Sequence, residues 1–188
     1  MRIISGKFKG KKILEPTDLN TRPLKDLTKE SIFNIIKHSK KFKIDFTNSL
    51  ILDLFSGVGS FGIECLSRGA KKVIFVENYH GVLHILKKNL ASLKLVKNYE
   101  ILEKNIYDAN IFCFLKKKFD IIFLDPPFKD KNIENLLTDI FNNKILNKNS
   151  ILILHRHKNE KENFPSNFQI IEKKTYGISK IIFLSILN

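Results

Sequence analysis

Apolar residues fall into two rhythms along this 188-residue chain. From residue 49 onward, short runs dense in Ile, Leu, Val and Phe occur at 50–55, 72–76, 99–102, 119–124, 150–155, 168–172 and 180–187. Between them, apolar positions recur at helical spacing over 60–68, 79–94, about 106–117 and 131–142. Strands alternating with helices of this length predict an α/β fold, a mostly parallel sheet covered on both faces. Only Lys173 to Ser179, with Gly177 at the turn, separates the last two runs. A parallel return would need a crossover of about a dozen residues, so these two must form an antiparallel hairpin. The expectation is seven strands, five parallel and a closing antiparallel pair.

The first 48 residues read differently. Two short apolar-containing runs around Ser5-Gly6 and Lys9-Gly10 suggest a small hairpin or arm. Thr21-Arg22-Pro23 then precedes a helical pattern in which Leu24, Leu27, Ile32, Phe33, Ile35 and Ile36 mark one apolar face, with Pro23 as an early helical residue. No repeat, low-complexity block or linker divides the chain. We therefore expect a basic extension over 1–48 and one main domain over 49–188.

Charge sharpens this division. The chain carries +14, from 33 Lys and Arg against 19 Asp and Glu, and residues 1–48 alone hold 12 bases and 5 acids. Such an excess implies a polyanionic partner, because each cation placed on a phosphate releases condensed counterions. A merely soluble basic surface is the plainer explanation. The sixteen Phe exclude a disordered chain. No apolar run is long enough to span a bilayer, and the first residues are too poor in apolar content for a signal peptide. Cys65 and Cys113 offer neither a disulfide framework nor metal spacing. A cytoplasmic protein, expected to be monomeric, fits these features.

Candidate chemistry lies at the ends of the strand runs. The first ends in Asp53-Leu54-Phe55-Ser56-Gly57-Val58-Gly59-Ser60-Phe61-Gly62. Glycines after a strand allow a tight turn and let a ligand approach amides at a helix start. Gly59 is expected to admit that ligand, so that Val in its place would block binding without unfolding the protein. Gly57, Gly59 and Gly62 also satisfy G-x-G-x-x-G, which alone is a weak sign of a nicotinamide site. The second run ends at Glu77, placed to accept both hydroxyls of a ribose. The third leads to Asn105-Ile106, a polar and an aliphatic group suited to an adenine. Each has an ordinary structural explanation, but three in order at successive carboxyl ends point to a nucleoside cofactor. Asp53 separates the alternatives. An acid beside the turn would repel a pyrophosphate and attract the sulfonium and ammonium groups of S-adenosylmethionine. The cofactor candidates are Asp53, Phe55, Ser56, Gly57, Gly59, Glu77, Asn78, Asn105 and Ile106.

The fourth run ends in Asp125-Pro126-Pro127-Phe128. Two prolines fix an extended backbone and remove two amide donors. The resulting rigid turn offers an acid, carbonyl oxygens and a ring. That set suits a planar base with an exocyclic amine: Asp125 and the Pro126 carbonyl accept from the NH2 while Phe128 stacks on the ring. His155 and His157 share a strand face but lack a third ligand nearby, so no metal is expected. Cys65 reads as core, and Lys116 to Lys118 as a solvated edge.

With D-x-F-x-G-x-G followed by D-P-P-F, the chain resembles the class I S-adenosylmethionine-dependent amino-methyltransferases. Within them it resembles the RsmD-type bacterial 16S rRNA guanine-N2 methyltransferases. The match runs through Arg2-Ile3-Ile4-Ser5-Gly6, Lys9-Gly10, Thr21-Arg22-Pro23 with Asp26 and Glu30, Leu52–Gly59, Gly62-Ile63-Glu64, Leu66–Ala70, Val76-Glu77, Asn89-Leu90 and Asp125–Phe128. The resemblance implies a Rossmann-like fold, S-adenosylmethionine as methyl donor, and the N2 amine of a guanine in 16S rRNA of the small subunit as acceptor. Arg2, Lys7, Lys9, Lys11, Lys12, Arg22, Lys25 and Lys29 would then meet rRNA phosphates. Because D-P-P-F is shared with adenine-N6 enzymes, a DNA or RNA adenine-N6 methyltransferase remains an alternative. So do a nicotinamide oxidoreductase and a non-catalytic ribosome-assembly factor.

Overall fold

The computed structural model describes residues 1–16, 24–94 and 98–187. In chain order the elements are α1 (Asp26–His38), a 3-10 turn (Phe46–Asn48), β1 (Leu50–Leu54), α2 (Ser60–Ser67), β2 (Lys72–Val76), α3 (His80–Ala91) and β3 (Tyr99–Leu102). Then follow α4 (Ile111–Phe114), β4 (Phe119–Leu124), α5 (Ile133–Asn142), β5 (Leu146–His157), β6 (Phe168–Tyr176) and β7 (Ser179–Ile186). One seven-stranded sheet has the order β3-β2-β1-β4-β5-β7-β6. Its first five strands are parallel, and β7 runs antiparallel to both β5 and β6. This is the expected class I methyltransferase architecture.

The two-residue side-chain period of a strand divides the core. Ile51, Val73, Phe75, Ile121, Phe123, Ile151, Ile153, Ile181 and Phe183 face the layer that includes α1, α2 and α3. Leu52, Leu54, Ile74, Val76, Ile122, Leu124, Leu152, Leu154, Ile182 and Leu184 face α5 and the short α4. Both faces are covered, which explains strands that are continuously apolar where an open sheet would alternate. Phe61 stacks on Phe123 at 4.1 Å between ring centroids and Phe33 on Phe61 at 5.2 Å, joining α1 to the sheet through α2. Each such burial is worth about 1.5–3 kcal/mol.

Several boundaries differ from the sequence reading. The helix expected over about 106–117 is a single turn, because Asp108, Asn110 and the cations after Leu115 leave only Ile111 and Leu115 to bury beyond Ile106. β5 and β6 extend beyond the apolar runs, and the final hairpin closes over only Gly177 and Ile178, with Gly177 at φ 59°. Leu27 does not join the apolar face of α1 and is 69% exposed, whereas Lys29 is fully buried with Ile32, Phe33 and Ile36. Pro23 lies outside the described residues.

The N-terminal segment is a loop with one antiparallel bridge, Arg2 to Lys12, and its apolar residues Ile3 and Ile13 belong to the same core as α1 and the sheet. Buried Glu64 of α2 accepts from the amides of Ile4 (2.8 Å) and Ser5 (2.9 Å). Ser67 donates to the Ser5 carbonyl (2.6 Å) and accepts from the Phe8 amide (3.0 Å). Asn89 of α3 bonds both amide and carbonyl of Leu14. A Cβ on Gly6 would lie 1.9 Å from the Ser67 carbonyl oxygen, so only glycine permits this docking.

Candidate active site

Asp53 points from β1 toward α2 and is 1% exposed, its Oδ2 accepting from the Gly62 amide at 2.9 Å. A Cβ on Gly62 would stand 2.3 Å from the Phe75 ring and 2.9 Å from Asp53 Oδ2. Glycine there lets α2 start against both. Gly59 has φ 85°, and a Cβ on it would meet Leu86 at 2.6 Å and Ile63 at 3.2 Å. Valine at Gly59 would therefore disturb the core before it disturbed a ligand, contrary to the sequence expectation.

The turn is tied to the second strand. Ser56 donates its amide to the Val76 carbonyl (3.1 Å), and Gly57 donates to Glu77 Oε2 (2.7 Å). Glu77 Oε1 accepts from the amides of Asn78 (2.9 Å) and Tyr79 (2.8 Å). Three amides thus fix the carboxylate at the carboxyl end of β2. Phe55 has φ 57°, a left-handed conformation that costs a non-glycine residue about 1–3 kcal/mol and marks a held turn. Its ring lies 6.0 Å from that of Tyr107, in the loop after β3. In that loop Asn105 is exposed and accepts from the Tyr107 amide (3.0 Å), while Ile106 is buried in the core beside Ile74 and Val76. The structure therefore brings these candidates to the ends of three adjacent strands, with Ile106 turned inward.

Register places the fourth loop next to the first: Leu54 pairs with Leu124, and the Asp125 amide donates to the Leu54 carbonyl at 3.3 Å. Pro126 is buried, Pro127 exposed, and Asp125 and Phe128 half-buried. Two residues that the sequence reading did not assign to this loop hold it. Arg156 of β5, 4% exposed, donates to the carbonyls of Pro127 (3.0 Å), Phe128 (3.0 Å) and Asp130 (2.8 Å). His155 donates through Nδ1 to Asp125 Oδ1 at 2.7 Å, and its ring meets Phe128 edge-on at 5.7 Å. Tyr107 donates to Asp130 Oδ2 at 2.8 Å, joining the β3 loop to the β4 loop. Their sequence signal was position: His155 and Arg156 follow directly on Leu154, the register partner of Leu124. His157 accepts from the Asn159 amide (3.3 Å), and no group of three or more metal-ligating side chains occurs among the described residues.

The electrostatics are unusual for so basic a chain. Burial pushes the Asp53 carboxyl well above the usual carboxylate range; the Gly62 amide opposes this and the charges of Asp125 and Glu77 add to it. Among the described residues Asp53 and Glu77 form no ion pair. A cup of amides and glycines that also gathers three carboxyl groups suits a cationic ligand and opposes an anionic pyrophosphate.

Among the basic candidates, Arg2, Lys7, Lys9, Lys12 and Lys25 are exposed and Lys11 half-buried, its Nζ donating to the Ser92 carbonyl. Arg22 lies outside the described residues. Lys29 is a correction: its Nζ donates to the Arg2 carbonyl (2.8 Å) and Ser60 Oγ (3.3 Å) and sits 3.4 Å from Asp26. Burial lowers its pKa, with Asp26 and Glu64 opposing the shift. It is an internal cation that props the N-terminal loop, out of reach of phosphate. Lys116 to Lys118 are exposed and precede β4, so they sit at the sheet edge opposite the site.

Residues 1–185 match the family described as Conserved hypothetical protein 95. The chain belongs to this family, the RsmD-type methyltransferases. A Haemophilus influenzae relative named ribosomal RNA small subunit methyltransferase D is 34% identical over 183 residues, covering 95% of this chain and 90% of its own. A solved candidate methylase from Haemophilus influenzae is 33% identical, covers 100% of this chain and 98% of its own, and superposes with a TM-score of 0.75. A third structure, a candidate methyltransferase complexed with SAH, shares the fold at 14% identity and a TM-score of 0.63, covering 84% of this chain and 49% of its own. No helix among the described residues of this chain is long and apolar enough to cross a membrane.

Proposed function

We propose that this protein transfers a methyl group from S-adenosylmethionine to the exocyclic N2 amine of a guanine in 16S rRNA of the small ribosomal subunit. The observation that carries the reading is the adjacency of two loops. The acid-rich glycine turn after β1 and the Asp125–Phe128 turn after β4 stand side by side, bonded through the Asp125 amide and the Leu54 carbonyl. Homologues named for small-subunit rRNA methylation support the substrate class. Asp53 and Glu77 fit the cofactor because two buried carboxyl groups without cationic partners among the described residues await a cation and a ribose. The same feature disfavours the nicotinamide alternative.

S-adenosylmethionine, when bound, supplies a methyl group already activated on a sulfonium. Asp53 and the amides of the turn would hold its amino-acid end. Glu77 would accept from the ribose, and Asn105 would lie beside the adenine, with Ile106 buried in the core beneath the loop. Asp125 and the Pro126 carbonyl would accept the two hydrogens of the guanine amine and aim its lone pair at the methyl. Phe128 would stack on a base splayed from its helix. Asp125 would then take the proton that the amine sheds once its nitrogen carries the methyl. Orientation supplies much of the rate, since both reactants are held on one rigid edge. Arg2, Lys7, Lys9, Lys12 and Lys25 would bind rRNA phosphates, Lys11 from the margin, in a cytoplasmic and monomeric enzyme that needs no metal.

Isotopically labelled methyl transfer to small subunits, free 16S rRNA and DNA, followed by nucleoside digestion, tests the reading. Label in N2-methylguanosine is the expected result. Label only in N6-methyladenosine would select the adenine alternative, and no transfer with intact cofactor binding would select a non-catalytic role.

A further inference from the structure

His155 occupies an unusual position for a polar side chain that the proposed chemistry has so far left idle. It is the first residue of β5 beyond Leu154, as Asp125 is the first beyond Leu124, so the two are cross-strand neighbours at the carboxyl edge. The imidazole is 7% exposed. Its Nδ1 lies 2.7 Å from Asp125 Oδ1, a short separation typical of a charge-assisted bond. Its Nε2 is buried with no hydrogen-bond partner among the described residues. The ring hydrogen therefore belongs on Nδ1, where an acceptor exists. Phe128 covers the ring edge-on, and on β7 the register partner of His155 is the apolar Ile181. Packing from two sides thus fixes the direction of the one hydrogen bond the imidazole makes.

A carboxylate on a loop can rotate about its last torsion, and rotation would exchange which oxygen meets the substrate. One oxygen of Asp125 is already engaged by a buried, immobilised donor. We propose that His155 is the positioning residue of Asp125: by occupying Oδ1 it turns Oδ2 toward the amine and holds it there. The inference rests on the reading of the Asp125–Phe128 loop as the active site and adds to it a residue outside that loop.

The test is single-turnover methylation of unmethylated small ribosomal subunits, with S-adenosylmethionine affinity and melting temperature measured beside it. His155→Leu keeps the volume and removes the donor. It is expected to lower the rate roughly 10- to 100-fold, the loss typical of one hydrogen bond to a charged group. His155→Asn, whose amide nitrogen can stand where Nδ1 stood, is expected to recover most of the rate. In an Asp125→Ala background, His155→Leu is expected to change the rate by less than about twofold, because the partner is gone. No recovery in His155→Asn, or the same loss in both backgrounds, overturns the proposal, since a structural role would behave so. If Asp125→Ala itself retains the wild-type rate, the reading of the loop has failed, whatever His155 does.

Discussion

Asp53→Asn should move stability and cofactor affinity in opposite directions. The carboxyl is 1% exposed and accepts one amide, and it shares its edge with Asp125 and Glu77. Its folded value lies well above the ordinary 3.8. The sign follows: its contribution to stability is full below 3.8 and is lost as pH rises through the folded value. Above 3.8 the unfolded chain ionises this group more readily than the folded one, so the burden on folding grows as pH rises. Asparagine keeps an acceptor for the Gly62 amide and removes the charge. The free protein should gain about 1–3 kcal/mol, the cost of an ill-satisfied buried group, or about 2–4 °C in melting temperature per kcal/mol for a chain of this size. The gap between variant and wild type should widen as pH rises above the ordinary 3.8. With S-adenosylmethionine present that lead should shrink. Loss of a charge-assisted bond worth about 1.5–3 kcal/mol weakens binding roughly 10- to 100-fold. A ligand at 100 times the wild-type Kd, which stabilises the wild type by about 2.7 kcal/mol, then lifts the variant by half of that or less. Differential scanning across pH, with and without S-adenosylmethionine, measures both effects. A variant that melts lower than wild type at neutral pH yet binds cofactor equally well would refute the reasoning.

Other residues give separate readouts. Arg156→Lys can replace at most part of a three-carbonyl clamp, and a loop displaced by about 1 Å can cost on the order of 100-fold in rate; single-turnover rates should fall while S-adenosylmethionine affinity by calorimetry stays within about twofold. Lys29→Met should leave RNA affinity and its salt dependence unchanged, because the ammonium is internal. Replacing both Lys7 and Lys9 by Ala should make the log–log salt slope shallower by about 0.7–0.9 for each phosphate that is no longer neutralised; filter binding at several salt concentrations checks the pair, and an unchanged slope would place the RNA surface elsewhere.

The strand and helix order was legible because a parallel sheet covered on both faces must be built from short, continuously apolar runs, as Ile121 to Leu124 and Ile151 to Leu154 are. The loops at its carboxyl edge were legible for the same reason: Asp53, Glu77 and Asp125 each close such a run. Lys29 was misread by residue type, although its place with Ile32, Phe33 and Ile36 at spacings of three, four and seven is the helical rhythm of a buried face. The supports of the Asp125 loop were hidden because they depend on register. Nothing local in His155-Arg156 says that β5 lies beside β4 with Leu154 against Leu124, and only that pairing sets the imidazole on Asp125 and the guanidinium under three carbonyls. Docking of the first residues on Glu64 and Asn89 was hidden likewise, since the receiving groups are 59 to 75 positions away in the chain.

The measurement that bears most directly on the site is single-turnover methylation of small subunits by Asp125→Ala and Asp125→Asn at saturating S-adenosylmethionine. The alanine variant loses an acceptor for the amine while the prolines and the Arg156 clamp remain. Its rate should fall about 100- to 1,000-fold, the loss typical of one positioned polar group, with cofactor affinity nearly unchanged. The asparagine variant, which can still accept from the amine, should retain more activity than alanine. A near-wild-type rate in Asp125→Ala would contradict the account and move the chemistry away from this loop.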